Sequence, residues 1–60
     1  MKYYYGKDAR DEWRWQLQAD NRKVIAVSGV GYNHARDCVA AIELVKSSKD
    51  AEVTKLERLI

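Results

Sequence analysis

Apolar and polar side chains alternate along residues 13–19, and this alternation is the clearest structural signal in the chain. Alternate positions share one side of an extended segment, so the pattern predicts a strand with one buried face. The apolar face consists of Trp13, Trp15, Leu17 and Ala19, and the polar face of Arg14, Gln16 and Gln18. We expect both tryptophans to lie in the core, because a sheet covered by one helix buries its apolar face.

Two further segments have the composition of strands. Residues 24–27 are Val-Ile-Ala-Val and follow polar turn residues at 20–23, and residues 2–5 are rich in tyrosine. We expect residues 6–11 to form the loop between the first two strands. Asn21 is followed by Arg22 rather than by glycine, so the second turn either has a positive φ or is longer than two residues. These spacings predict a three-stranded antiparallel meander.

A helical period follows the glycine-containing segment 28–32. From residue 34 to about residue 47, apolar side chains recur at helical spacing, at Ala35, Cys38, Ile42 and Val45. Asn33 is the predicted N-cap. Residues 51–54 have the composition of a short additional strand. The predicted fold is therefore α+β, with a three- or four-stranded antiparallel sheet and one α-helix packed on one face.

Separated motifs in this layout resemble the YegP-like family of small bacterial and archaeal proteins. They are EWRWQL at 12–17, Asn21, VIA at 24–26, SGVGY at 28–32, AIELVK at 41–46 and DAEV at 50–53. The resemblance covers about residues 3–54. It implies a small α+β unit that occurs as tandem repeats or as associating single copies, and it implies no enzyme activity. We therefore expect one domain over residues 1–54 and an apolar tail over residues 55–60.

The chain departs from the family pattern mainly at turns. Asp11 and Arg22 stand where the family usually has glycine, so we expect both turns to be built differently. Val30 stands between two glycines where relatives usually have an acidic residue, and Gln16 is often arginine in relatives. A ligand shared through these positions is not expected in this chain.

The length and composition of the chain indicate that the protein associates with itself. A chain of 60 residues buries only about 60% of the surface that it exposes when unfolded, so its core is marginal. One cysteine and one histidine form neither an internal disulfide nor a four-ligand zinc site, which leaves oligomerisation as the stabilising device. We expect a homodimer. Its interface candidates are Leu44, Leu56, Leu59 and Ile60, which a monomer this small has no obvious means of burying.

The candidate chemistry is sparse. His34 and Cys38 are four residues apart, which is the spacing of a metal pair or of a thiol beside a base, but two ligands do not complete a site. The segment 28–31 precedes a helix, yet it lacks the Lys-Ser/Thr ending of a phosphate-binding loop. No serine, histidine and acid set has supporting spacing. We therefore expect no enzyme activity, no cofactor and no metal.

Charge and hydropathy bear on partners and location. The chain has 11 Lys and Arg against 9 Asp and Glu, a net charge of +2 that does not demand a nucleic-acid partner. No apolar stretch has the length of a signal peptide or a membrane span. We expect a soluble, cytoplasmic protein with no membrane partner.

The leading functional hypothesis is a non-enzymatic binding module that acts by contact with an unidentified protein. Its partner-binding candidates are Tyr4, Arg14, Gln16, Gln18 and Lys23. One alternative is a mobile-element (phage) inhibitor of a host defence complex, such as an anti-CRISPR. Another is a nucleic-acid-binding protein that uses the open sheet face. Protein contact ranks first because mixed-sign charge neutralises phosphates poorly, whereas aromatic groups on a rigid sheet are good interface anchors.

Overall fold

The computed structural model describes residues 1–59, which form three strands and one helix. Strand β1 spans Lys2–Lys7, β2 spans Trp13–Gln18, β3 spans Val24–Val27, and helix α1 spans Ala35–Lys46. The strands form one antiparallel sheet in the order β1-β2-β3. The prediction of an α+β fold built on an antiparallel meander is confirmed, with three strands in the described chain.

Strand β1 is two residues longer than predicted. Gly6 and Lys7 were expected in the loop, but they pair with Arg14 and Trp13. The loop closes in fewer residues because the Asp8 carboxylate organises it. Asp8 Oδ1 accepts hydrogen bonds from the backbone N–H groups of Arg10, at 2.9 Å, and Glu12, at 3.1 Å. Aspartate favours turns through bonds of this kind.

Both turns of the meander contain a non-glycine residue with positive φ. The φ angle is 63° at Asp11 and 68° at Arg22, which are the two positions where the family usually has glycine. The second turn is closed by hydrogen bonds between Ala19 and Lys23 and between Arg22 and Ala19, each 2.8 Å long. A side chain in this backbone region costs about 1–2 kcal/mol because its Cβ crowds the carbonyl oxygen.

Replacing Arg22 with glycine is expected to stabilise the protein by about 0.5–1 kcal/mol. The substitution removes the cost of positive φ, part of which is offset by the greater backbone freedom of glycine in the unfolded chain. Arg22→Ala is the matched control, because it removes the same side chain but keeps the Cβ. Urea unfolding of the two variants measures the difference, and a less stable glycine variant would contradict the assignment of strain to this turn.

Helix α1 packs on one face of the sheet and contacts β1 and β2. The centre of the core is Cys38, which is 0% exposed, with Ile42 at 7% and Trp15 at 9%. Partly buried side chains pack around these three: Tyr3, Trp13, Ala26, Tyr32 and Ala41. The prediction that both tryptophans are core residues is confirmed for Trp15, whereas Trp13 lies at the core's periphery.

The glycine-containing segment forms a corner between the sheet and the helix. Ser28 is buried, and its Oγ accepts the Trp15 backbone N–H at 3.3 Å. The chain then leaves the sheet and returns at Tyr32, which exchanges two backbone hydrogen bonds of 2.8 Å with Trp13. Ser28 and Tyr32 thus continue the hydrogen bonding of β2 on the side where β3 ends.

The prediction of Asn33 as the helix N-cap is wrong by one residue. His34 occupies this position with extended backbone angles, φ −127° and ψ 139°, and its side chain makes no capping hydrogen bond. The His34 carbonyl accepts the first helical N–H groups, those of Asp37 and Cys38. Asp37 in the first turn and Lys46 in the last turn have the charges that the helix dipole favours.

The segment 51–59 contains no strand or helix, so of the two predicted strand numbers the described chain has three. Among residues 1–59, the backbone N–H groups of this segment make only one hydrogen bond to other backbone groups, from Ala51 to the Ser48 carbonyl. A strand needs a neighbour for its N–H and C=O groups, and this segment has none among residues 1–59. Ile60, one of the interface candidates, lies outside the described residues. Among the described residues, no helix is long and apolar enough to cross a membrane.

Candidate functional site

The face of the sheet opposite α1, hereafter the open face, is not covered by the helix. Residues directly opposite each other in an antiparallel sheet share a face, and Trp15 defines the face toward the helix. The register therefore defines the members of the open face. They are Lys2, Tyr4 and Gly6 of β1, Arg14, Gln16 and Gln18 of β2, and Val24 and Val27 of β3, which a register shift between Leu17 and Gln18 brings opposite Gln18 and Gln16.

A shallow groove of about 590 Å³ crosses the open face. Its lining includes Tyr4, Arg14, Gln16, Val27 and Ser28. Gly6 also lines the groove, and a Cβ added at Gly6 would meet no atom within 4 Å. The missing side chain at Gly6 therefore leaves bare backbone next to Tyr4 along the strand and Arg14 across it, where a flat group can approach closely.

One end of the groove carries a charged pair. Arg14 Nε lies 3.8 Å from Asp8 Oδ2, and both side chains are partly buried. The pKa of Asp8 is lowered, mainly by the hydrogen bond from the Glu12 backbone N–H, against the raising effect of desolvation, and further by the Arg10 N–H and the charge of Arg14. Asp8 is thus ionised at neutral pH. At 3.8 Å the two groups form an ion pair but no hydrogen bond.

A second depression, of about 240 Å³, adjoins the groove at Tyr4, which lines both. Gln18 and Lys2 also line it, and the Lys2 ammonium lies 5.8 Å from the centroid of the Tyr4 ring. The N-terminal ammonium donates a hydrogen bond of 2.6 Å to Asp20 Oδ1, and this bond lowers the pKa of Asp20. Tyr4 is therefore the central side chain of the open face.

Four of the five partner-binding candidates lie together on this surface. Tyr4, Arg14 and Gln16 line the groove, and Gln18 lines the second depression. The fifth, Lys23, lies in the turn before β3, and it lines neither of the two depressions described here. Sequence reasoning missed Gly6 and Asp8. Gly6 occupies the next alternate position after Lys2 and Tyr4, so extending the first strand by two residues would have found it.

The interface candidates lie on separate parts of the surface. Leu44 is exposed on α1, as its offset from the buried stripe predicts, and Leu56 and Leu59 are exposed on the segment 51–59. Strand β3 adds exposed apolar side chains that the sequence reasoning did not assign to an interface, at Val24, Ile25 and Val27.

The described residues offer little to a metal ion. No group of three His, Cys, Asp or Glu side chains within residues 1–59 is arranged to hold one. His34 is exposed at the helix N-cap, whereas Cys38 is fully buried and burial raises the pKa of its thiol. Cys38 therefore acts as a small core side chain, and the two residues share no accessible site.

Comparisons with known proteins agree with this architecture. Residues 8–54 match the family described as Domain of unknown function (DUF1508). Two proteins of Neisseria meningitidis, UPF0339 protein NMB1088 of serogroup B and UPF0339 protein NMA1193/NMA1859 of serogroup A, are each 43% identical over 55 residues, covering 92% of this chain and 96% of the relative.

A solved structure has the same fold. The NMR solution structure of a protein from Haloferax volcanii matches with a TM-score of 0.84 and 36% sequence identity, over 92% of this chain and 93% of that one. The family match spans most of the chain, and the relatives match over nearly their whole length. The chain belongs to the DUF1508 family, the small uncharacterised YegP-like family that its motifs resemble.

Proposed function

We propose that this protein is a non-enzymatic binding module that works as a homodimer and recognises another protein through its open face. The observation that carries the proposal is the groove between Tyr4 and Arg14, on a sheet face that the helix leaves uncovered. Tyrosine and arginine are enriched among the residues that dominate protein interfaces, because they combine a large contact area with hydrogen bonding. The amides of Gln16 and Gln18 add donors and acceptors beside them.

The charge on the open face favours a protein over a nucleic acid. Asp8 lies 3.8 Å from Arg14, and Asp20 pairs with the N-terminal ammonium, so two of the cationic groups already have anionic neighbours. Phosphate binding depends on cations that replace the counterions of the backbone, and paired cations do this poorly. A protein surface, in contrast, offers hydrogen-bond acceptors and apolar groups that suit a half-polar groove.

The Asp8–Arg14 pair supports a role in recognition rather than in catalysis. The pKa of Asp8 is lowered, which makes its carboxylate a weak base near neutral pH, and an arginine does not release a proton there. The groove is also shallow, so a bound group stays in contact with water. Asp8 and Arg14 therefore supply binding contacts, but neither side chain is suited to act as a general base or a general acid near neutral pH.

Arg14→Ala is expected to weaken partner binding at least tenfold without unfolding the protein. The full chain, immobilised, is used to retain the partner from a lysate of the source organism, and calorimetry with the purified partner then measures the dissociation constant. Lys49→Ala is the matched control, because Lys49 is an exposed cation in the turn after α1. Equal affinities for both variants would contradict the assignment of the groove.

A gel shift at two salt concentrations tests the nucleic-acid alternative. Binding that falls steeply with salt and with Arg14→Ala, with no protein retained, would replace the proposal. If the immobilised protein instead retains a CRISPR effector complex, and Arg14→Ala abolishes this retention, the partner is identified and the anti-CRISPR alternative is supported.

A further inference from the structure

We infer that the open face binds an extended segment of its partner protein that carries an aromatic side chain and, four residues away, a carboxylate. The aromatic ring lies over Gly6, and the carboxylate pairs with Lys2. The inference rests on the proposed function, because it names the chemistry of the partner at the same groove.

The first support is that the fold does not require glycine at position 6. Gly6 lies inside strand β1, its φ is not positive, and no atom lies within 4 Å of an added Cβ. Glycine weakens the interior of a strand, and in that position it often marks a place where a ligand approaches the backbone closely. Within residues 1–59, the effect of glycine at this position is to keep the groove open.

The second support is the pair of side chains beside this gap. Tyr4 lies two residues along the strand on the same face, and Arg14 lies directly opposite Gly6 on β2. Tyr4 is 45% exposed and the Arg14 side chain 39%, so both remain accessible. An aromatic ring over Gly6 would cover the bare backbone, meet the Tyr4 ring and lie beside the guanidinium, which is a favourable cation–π partner.

The third support is a difference in charge between the two ends of the open face. At the groove end, the Asp8 carboxylate lies 3.8 Å from Arg14 Nε and would repel a second carboxylate. At the other end, Lys2 and Arg22 line the second depression, and neither forms an ion pair within residues 1–59. Asp20, the acidic residue of that depression, is paired with the N-terminal ammonium. A carboxylate is therefore attracted to the Lys2 end.

The spacing of the two contacts follows from strand geometry. Lys2 and Gly6 are four residues apart on β1, which is about 13 Å at the rise of a strand. An extended segment that lies along β1 has the same rise, and its side chains four residues apart point to the same side. The residue midway between them faces the Tyr4 ring, where a small side chain avoids a clash.

A single-stranded nucleic acid suits this charge pattern less well. A base could stack on Tyr4, but every nucleotide carries a phosphate, and a chain along the groove would place one beside Asp8. A peptide can place its carboxylate at Lys2 alone. The occupant that the open face favours is therefore a protein segment with one aromatic and one acidic side chain.

The test titrates the isotope-labelled, full-length protein with the blocked peptide Ser-Trp-Ser-Ala-Ser-Glu-Ser, and NMR spectra report the amide shifts and the dissociation constant. Saturable shifts are expected at Gly6 and Arg14. An isomer with the glutamate moved one position further from the tryptophan is expected to bind about threefold more weakly, as for loss of an exposed ion pair. The Lys2→Ala variant is expected to bind both peptides equally.

Three outcomes of this titration would overturn the inference. They are the absence of saturable shifts, equal affinities of the native protein for the two isomers, and tighter binding of an oligothymidine at the same amides. Each of them leaves the proposed function to the Arg14→Ala measurement with the natural partner, so the two failures are distinguishable.

Two matched glycine variants give an independent readout. Gly6→Leu fills the gap, whereas Gly29→Leu adds the same side chain at a position that also has nothing within 4 Å of a Cβ and lines neither depression. Gly6→Leu is expected to raise the peptide dissociation constant at least tenfold without loss of stability in urea unfolding, and Gly29→Leu to leave the constant unchanged. Equal dissociation constants, or a Gly6→Leu protein that fails to fold, would overturn the inference.

Discussion

Trp15→Ala is expected to unfold most of the protein, with a loss of about 3–5 kcal/mol. Trp15 is 9% exposed and contacts the core centre formed with Cys38 and Ile42. The Tyr3 ring packs edge-on against it at a centroid distance of 5.7 Å. A domain of this length has a total stability of roughly 3–9 kcal/mol, so the loss is comparable to the whole. The Trp15 indole N–H has no hydrogen-bond partner within residues 1–59, so the loss comes from packing.

Trp13→Ala is the matched control for this prediction. Trp13 has the same side chain on the same strand, but it lies at the periphery of the core, 5.9 Å from the Tyr5 ring and 5.6 Å from the Lys7 ammonium as measured to ring centroids. Its removal is expected to cost clearly less. Far-UV circular dichroism and urea unfolding compare the two variants, and equal losses would show that Trp15 is not the centre of the core.

Gly31→Ala is expected to destabilise the protein by about 1–3 kcal/mol, because the added methyl group has no room. A Cβ at Gly31 would lie 2.8 Å from Glu12 Cβ and 2.6 Å from Glu12 Oε1. The carboxylate end of Glu12 can swing away, but its Cβ is fixed to the backbone. The backbone must therefore shift next to the hydrogen-bonded pair of Trp13 and Tyr32, whose two bonds are each 2.8 Å long.

Gly29→Ala provides the comparison for this effect. Nothing lies within 4 Å of a Cβ at Gly29, so its substitution is expected to change stability by no more than about 0.5 kcal/mol. Chemical unfolding of both variants measures the difference. The double variant Glu12→Ala with Gly31→Ala is expected to recover part of the lost stability, because it removes the Glu12 carboxylate from the contact. The recovery is incomplete because alanine at position 12 keeps the Cβ. Equal stabilities of the two glycine variants would rule out the close approach.

Side-chain patterns determined which elements the sequence could predict. The alternation around Trp15 and the helical spacing of Cys38 and Ile42 both reflect burial, and burial selects residue types. The length of β1 was underestimated because the pairing of Gly6 with Arg14 is a property of backbone register, which residue types record weakly. The sequence left open whether the sheet has three or four strands, because residues 51–54 have the composition of a strand, but a strand forms only where a neighbouring strand completes its hydrogen bonds.

The same reasoning explains what could be predicted of the candidate site. Tyr4, Arg14 and Gln16 followed from alternation alone, since the face opposite the tryptophans is determined once the strand is identified. Gly6 was missed because a position that contributes empty space carries no side-chain signal. Lys23 was placed with the others on charge alone, although its position depends on the turn that Arg22 shapes through its positive φ.

The complete burial of Cys38 has a consequence for the motions of the protein. While α1 stays on the sheet, a thiol-modifying reagent cannot reach the sulfur, and burial also raises the pKa of the thiol and so reduces the reactive thiolate. Each separation of the helix from the sheet exposes the thiol for as long as the opening lasts. Because Cys38 is the only cysteine in the chain, the rate of its modification at high reagent concentration equals the rate of opening, measured without any introduced probe.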